Sequence, residues 1–311
     1  MRRLIATLLT LACSTVIARA QTGGIKWQTD PEEAVALAKK TQLPLMFYVL
    51  ASSDDRDDKL ETRQRKALAD PRVIELSKRF VPVRLSRSRH RDLLKQIGLD
   101  QTANMEIAFT APDGEALDRP LSAGGVANAD SLAQKMGLVF NFHRQRVFDR
   151  ELRPILENTD ARPAELRTAL ERIREMTIVG ADTSVAALLD RKGLDPKLAS
   201  VCCDVLAHLS SKISVGKLLE RSAAGDRDAT EALGSCTPAA AEAMMEQLRD
   251  SGGSVRLDVY RAVGKICRIK SLKPDKWWTS AKDPLKEKEI ERVTALAREA
   301  SKRWQAENEY R

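Results

Sequence analysis

Two kinds of hydrophobic spacing divide the chain. Between Gly24 and about Leu138, short apolar runs alternate with stretches of helical period. Pro31 to Lys40 predicts a helix, with Asp30 as N-cap, Pro31 at the first position and Glu32 and Glu33 at the positive end of the dipole. Leu43 to Leu50, carrying Phe47, Tyr48 and Val49, predicts a buried strand. Leu60 to Leu68 and Val73 to Arg79 read as helices, Phe80 to Leu85 as a strand and Arg91 to Ile97 as a short helix. Met105 to Thr110 is a further strand, and Ala111-Pro112-Asp113-Gly114 has the residues of a tight turn. An edge strand and a helix over Ala129 to Leu138 close this unit. Strands and helices alternating with short connections predict an α/β sandwich.

Beyond about Asn158 the strand signals stop, and long helical stretches with short polar breaks run to the C-terminus. The charged segment 141–160 is therefore a linker or bridging helix. Val185 to Asp190 is followed by a break at Gly193-Leu194-Asp195-Pro196 and a helix through Leu209. The pattern returns at Val215 to Glu220, with a break at Gly225-Asp226-Arg227-Asp228 and a helix through Gly234. It returns again at Met244 to Arg249, with a break at Ser251-Gly252-Gly253 and a helix through Ile266. Units of helix pairs at a spacing of about thirty residues resemble HEAT repeats. One pair cannot bury its own apolar face, so the resemblance implies an all-α stack, with Ala161 to Thr177 opening it and Pro284 to Glu307 capping it.

The first half also resembles a known family. Trp27, Asp30-Pro31-Glu32-Glu33-Ala34 and Leu43-Pro44-Leu45-Met46-Phe47 are similar to the opening of a thioredoxin-like domain. Asp70-Pro71-Arg72-Val73-Ile74 with Lys78-Arg79-Phe80-Val81-Pro82-Val83 resembles the helix and strand after that family's active site, and Phe109 with Ala111 to Gly114 resembles its hairpin turn. The resemblance implies two cysteines at a helix N-terminus, where dipole and neighbours favour the nucleophilic thiolate. By spacing, those positions fall near Asp54 and Asp57, and no cysteine occurs between Ser14 and Val201. The family's cis-proline would fall near Met105, and no proline lies between Pro82 and Pro112. Both catalytic marks are missing.

Composition narrows the chemistry further. Aromatics are 4% of 311 residues, too few for a groove lined with rings, and three histidines do not supply a histidine-rich metal site. Arg2, Arg3, the uncharged stretch Leu4 to Ile17 and Ala18-Arg19-Ala20 form the pattern of a cleavable signal peptide over 1–20, and lipid attachment at Cys13 is an alternative. Removing those twenty residues takes away three arginines and no acid, so the net charge falls from +8 to +5. The basic run Arg84 to Arg91 has no zinc knuckle or stacking motif beside it and reads as a solvated loop. Asp54, Asp55, Asp57 and Asp58 lack the mid-loop glycine and terminal glutamate of a calcium loop and suit a polar helix start. Cys202, Cys203, Cys236 and Cys267 read as buried free thiols, since adjacent helical cysteines diverge and neighbouring helices lie too far apart for a bridge. Trp277-Trp278 reads as an aromatic pair closing the last repeat, and His143 as a surface residue with no partner for catalysis.

The sequence thus predicts an α/β thioredoxin-like sandwich over 24–140, a linker or bridging helix over 141–160, and an all-α HEAT-like solenoid over 161–307. The expected role is an exported, periplasmic or secreted, non-catalytic protein-interaction module that docks a protein partner on the concave helical face. No catalytic residue, cofactor or metal site is expected, nor nucleic acid, nor stable membrane insertion after cleavage. Two alternatives stay open. One is a thiol–disulfide oxidoreductase or isomerase using a cysteine of the helical half, and the other a small-ligand or cation-binding module at Asp54 to Asp58.

Overall fold

The computed structural model describes residues 24–50, 58–97, 106–250 and 253–308. A small mixed sheet lies in the N-terminal region, and everything after it is helical. Helix α1 (Pro31–Thr41) starts where Asp30 Oδ1 accepts the Glu32 and Glu33 amides at 2.8 and 3.3 Å, capping two donors that the helix itself cannot pair. It ends at Gln42, which takes the left-handed conformation at φ 58°. Strand β1 (Leu45–Leu50) is the centre of the sheet, parallel to β2 (Val81–Ser86) and antiparallel to β3 (Glu106–Thr110). Its two faces feed two different cores. Leu45, Phe47 and Val49 pack with Val81, Val83 and Leu85, whereas Met46 and Tyr48 pack with Ile107, Phe109 and Met136. A strand covered on both faces is a continuous apolar run, as here.

Two shorter pairings extend the sheet. Gln28 bridges in parallel to Val83 on the free edge of β2, where Pro82 accepts the Gln28 amide at 2.8 Å and needs no donor of its own. Beyond β3, the expected edge strand reduces to isolated antiparallel bridges, Thr110 to Ala116 and Ile107 to Leu121. Pro120 offers no amide to the ladder there, and the Asp118 side chain takes the Arg119 amide at 2.7 Å. Gly114, at φ 89°, makes the turn between them. Helices α2 (Asp58–Leu68), α3 (Pro71–Ser77), α4 (Arg91–Gln96) and α5 (Ala123–Val126) surround the sheet.

The helix expected over Ala129 to Leu138 is much longer. Helix α6 (Ala129–Val147) passes through a widened turn at Phe148–Leu152 directly into α7 (Arg153–Glu157), so the charged segment is a bridging helix. The wide turn immediately precedes Pro154, which has no N–H to give and whose ring crowds the carbonyl one turn earlier. Core membership changes along this rod: residues up to Phe140 pack under the sheet, and Val147, Phe148, Leu152 and Leu156 pack with the helices that follow.

Those helices begin with α8 (Pro163–Met176) and continue as three pairs: α9 (Asp182–Leu189) with α10 (Pro196–Leu209), α11 (Lys212–Ala223) with α12 (Arg227–Leu233), and α13 (Ala241–Asp250) with α14 (Gly253–Ile266). Asp195, Ser211 and Asp226 cap α10, α11 and α12 with their side chains, which is why each break falls where it does. Helix α15 (Asp275–Ser280) carries the tryptophan pair, and α16 (Asp283–Glu307) lies against α13. One continuous core runs from Val147 to Ala297. Among the described residues, no helix is long and apolar enough to cross a membrane.

Candidate functional site

The sequence-derived candidates separate in space. Asp54, Asp55, Asp57, Met105, Cys13 and the signal-like segment 1–20 lie outside the described residues, while Asp58 is exposed at the start of α2. Among the described residues, no three His, Cys, Asp or Glu side chains gather in a metal-binding group. Cys202, Cys203 and Cys236 are buried and Cys267 is half-buried, and all four are free thiols. Burial pushes the Cys202, Cys203 and Cys236 thiols up to about 12 and Cys267 to about 11. Each therefore stays protonated near neutral pH, and the nucleophilic thiolate is scarce. Trp278 is buried with its ring centroid 4.8 Å from that of Tyr260 and 5.2 Å from that of Trp277, so the pair closes against α14. The basic run is divided between β2, a turn and α4. It lines an open cavity of about 1410 Å³ whose opposite wall carries Asp30 and Glu32, so charges of both signs face it.

His143 departs most from expectation. It is buried rather than at the surface, because α6 turns it inward beneath the end of α1. Its Nε2 lies 3.0 Å from the Gln42 carbonyl. Burial pushes the imidazole below its usual range, the Gln42 hydrogen bond opposes this, and Arg146 and Arg172 reinforce it. The ring is therefore neutral at pH 7, and the carbonyl, which can only accept, places the proton on Nε2. Nδ1 is left as a buried lone pair without a partner.

One turn along α6, Arg146 is largely enclosed, its side chain 10% exposed. Its Nη2 reaches Asp113 Oδ2 at 2.8 Å and Glu115 Oε2 at 2.5 Å, so the turn after β3 is tied to the bridging helix. Its Nη1 is buried without a partner. A buried polar group left unpaired costs roughly 1–3 kcal/mol. Two such nitrogens, three residues apart on one helix face, are the least settled polar groups of this region. Both residues line a cavity of about 320 Å³ where the sheet unit meets the helical array, together with Lys39, Gln42, Pro112 and Arg150. The junction is fastened from the other side by Arg172 of α8, whose Nη1 meets Glu151 at 3.0 Å and whose Nη2 meets Gln42 Oε1 at 3.2 Å.

No family model matches this chain, and no curated protein is similar to it. The site therefore rests on its own geometry. The same bridging helix carries a second feature on its outer face. Leu138 and Phe142 are 58% and 56% exposed, one turn apart, and their exposed neighbours Gln134 and Asn141 are uncharged. A Cβ on Gly180 would stand 2.6 Å from Gln145 Oε1, so the connection after α8 brings exposed Val179 to the end of this stripe. An uncharged stripe centred on an exposed phenylalanine is unusual in a chain with 31% charged residues. Four apolar residues among the five from Leu138 to Phe142, more than one covered face can use, are the sequence signal that marks it.

Proposed function

We propose that this chain is an exported, non-catalytic protein-interaction module in which a redox-inactive thioredoxin-like fold is joined to a HEAT-like helical array. Several observations support the reading. The extended segments run in the order Gln28, β2, β1, β3 and the Ala116 to Leu121 bridges, parallel in the first three and antiparallel in the rest, an arrangement that fits a thioredoxin-like sheet. The three helix pairs share one core, and in the first two a break capped by an aspartate, Asp195 or Asp226, separates the helices, which fits stacked HEAT-like units. Three thiols are buried, Cys267 is half-buried, and burial raises all four, which speaks against disulfide exchange.

The observation that carries the interaction reading is the Leu138 and Phe142 stripe on the bridging helix. Aromatic side chains at the centre of an interface supply most of its binding energy, and an uncharged apolar strip is costly to leave in water. The docking surface on this reading is the junction helix, and the partner presents an apolar protein segment to it. A photo-crosslinking amino acid at position 142, in the full chain expressed in its own cells, tests this. A discrete protein adduct at position 142, absent at the exposed control position Lys302 and lost on Leu138→Ser, is the expected result. Equal, diffuse labelling at both positions refutes the reading.

A further inference from the structure

We infer that the junction cavity binds the free C-terminal end of a peptide chain, with Arg146 Nη1 and Lys39 Nζ taking the terminal carboxylate and His143 Nδ1 accepting the N–H of the same residue. The inference deepens the protein-interaction reading and rests on it.

The two orphan nitrogens lack opposite partners. Arg146 Nη1 is a donor in need of an acceptor, while His143 Nδ1 is a lone pair in need of a donor, because Nε2 carries the proton toward the Gln42 carbonyl. A single ligand must therefore offer an acceptor and a donor a short distance apart. His143 and Arg146 are three residues apart on α6, which makes them neighbours on one helix face. The last residue of a peptide has its carboxylate and its amide N–H on the two sides of one Cα, which matches that demand. Recognition of a terminal carboxylate by clustered donors is an established mode of peptide binding.

Charge selects the carboxylate over a neutral amide. Around the cavity, Arg146 is paired with Asp113 and Glu115, Arg150 shares Glu115, and Arg172 holds Glu151. That sets four cations, with Lys39, against three carboxylates, and Lys39 makes no ion pair among the described residues. One further negative charge balances the group. A cavity of about 320 Å³ is at the small end of ligand pockets and suits a chain end rather than a folded surface. Both orphan nitrogens are closed to solvent, so the ligand reaches them only with a rotamer change in the lining. Lys39 and Arg150 are both exposed, and Lys39, with no ion pair among the described residues, can make it without breaking one.

The test uses the full chain with labelled histidine side chains, His143 being assigned by the signal missing in His143→Gln. The probe is acetyl-Ala-Ala-Leu with a free carboxylate, compared with its C-terminal amide and with sodium acetate. The expected result is a saturable shift of the His143 ring signals by the free acid, with half-saturation below about 1 mM, and at least tenfold weaker binding of the amide and of acetate. Lys39→Met, an exposed change, should weaken the free acid severalfold with the circular dichroism unchanged. Arg146→Lys should weaken it further if the variant folds. Equal shifts by acid and amide would show an amide site, and equal shifts by acetate a simple anion site; either overturns the inference. So does an unmoved His143 at 10-fold above that concentration, or Lys39→Met with no effect. The crosslink at Phe142 is independent of these outcomes. If it persists while the peptide acid fails to bind, the interaction reading stands and the cavity assignment falls.

Discussion

Tyr260→Phe isolates the network that fastens the last helix. The Tyr260 hydroxyl donates to Glu289 Oε1 at 2.6 Å and accepts the Lys273 amide at 2.7 Å. Glu289 is buried on α16 and is also held by Arg292, through Nε at 2.9 Å and Nη2 at 2.7 Å. Arg292 in turn donates to the Ser271 carbonyl at 2.7 Å. One hydroxyl therefore joins α14, the connection after it and α16. Phenylalanine keeps the ring on Trp278 and opens no cavity, so the loss is confined to hydrogen bonds. A bond to a charged, buried carboxylate is worth about 1.5–3 kcal/mol and the amide bond about 1 kcal/mol, and Glu289 keeps Arg292 after the change. The expected destabilisation is about 2–3 kcal/mol. At ~2–4 °C per kcal/mol for a folding unit of 150–250 residues, this is a Tm lower by roughly 4–12 °C. Tryptophan fluorescence during urea unfolding reads the same transition. Burial raises the Glu289 carboxyl, but the hydrogen bonds from Arg292 and Tyr260 outweigh it and hold the group below its usual range. A carboxyl depressed in the folded state stabilises above its unfolded value, about 4.3, and that contribution disappears as pH falls through the folded value. The difference between wild type and Tyr260→Phe should therefore shrink below about pH 4. A loss under 0.5 kcal/mol at pH 7 would refute the argument that this hydroxyl anchors α16.

Further predictions follow from the same packing. Gly264→Ala would place a Cβ 2.1 Å from Leu272 Cδ1, so the Leu272 side chain must shift beside the Lys273 amide. The expected cost is about 1–3 kcal/mol, and it should not add fully to Tyr260→Phe because the two act on adjacent residues, Leu272 and Lys273; simple additivity in a double-mutant cycle refutes the link. With thiols at about 12 for Cys202, Cys203 and Cys236 and about 11 for Cys267, a disulfide reagent at pH 8 should modify half-buried Cys267 first and the other three only on unfolding. Three fast native thiols, or insulin reduced faster than by dithiothreitol alone, contradicts the redox-inactive reading. Asp226→Ala removes the cap of α12, where Oδ1 accepts the Asp228 and Ala229 amides at 3.0 and 3.3 Å, and the pair with Arg221 at 2.7 Å. It should cost about 1–2 kcal/mol by thermal melting. Burial raises the Asp226 carboxyl, but Arg221 and the two amides hold it below its ordinary value. The loss should therefore fade as pH falls below the unfolded value near 3.9.

Much of the secondary structure is legible because its signals are local. Asp30-Pro31 starts α1 and Asp195-Pro196 starts α10 through bonds made within one turn, so no distant residue is needed to place them. The apolar run of β1 and the three helix pairs are equally visible, since their spacing already states that each must be covered. The edge strand reduces to isolated bridges because Pro120 and Asp118 interrupt its ladder, which a run of extended residues does not show. The sequence separates a helix over Ala129 to Leu138 from a linker or bridging helix over 141–160, because their continuity through Pro154 depends on a widened turn between the two cores.

The junction itself belongs to the tertiary structure. Helical period shows that Leu138, Phe142, His143 and Arg146 lie on α6, but Met136, Val139, Phe140 and Val147 are apolar as well, so the pattern has no clear inside. Which face is covered is decided by α3 and α5 on one side and by the end of α1 on another, residues up to a hundred positions away. His143 becomes buried beside Gln42, and Phe142, the residue before it, is left in water. Adjacent helical positions point about 100° apart, so the sequence determines that these two side chains diverge. Only the packing of distant elements determines which of them the solvent meets.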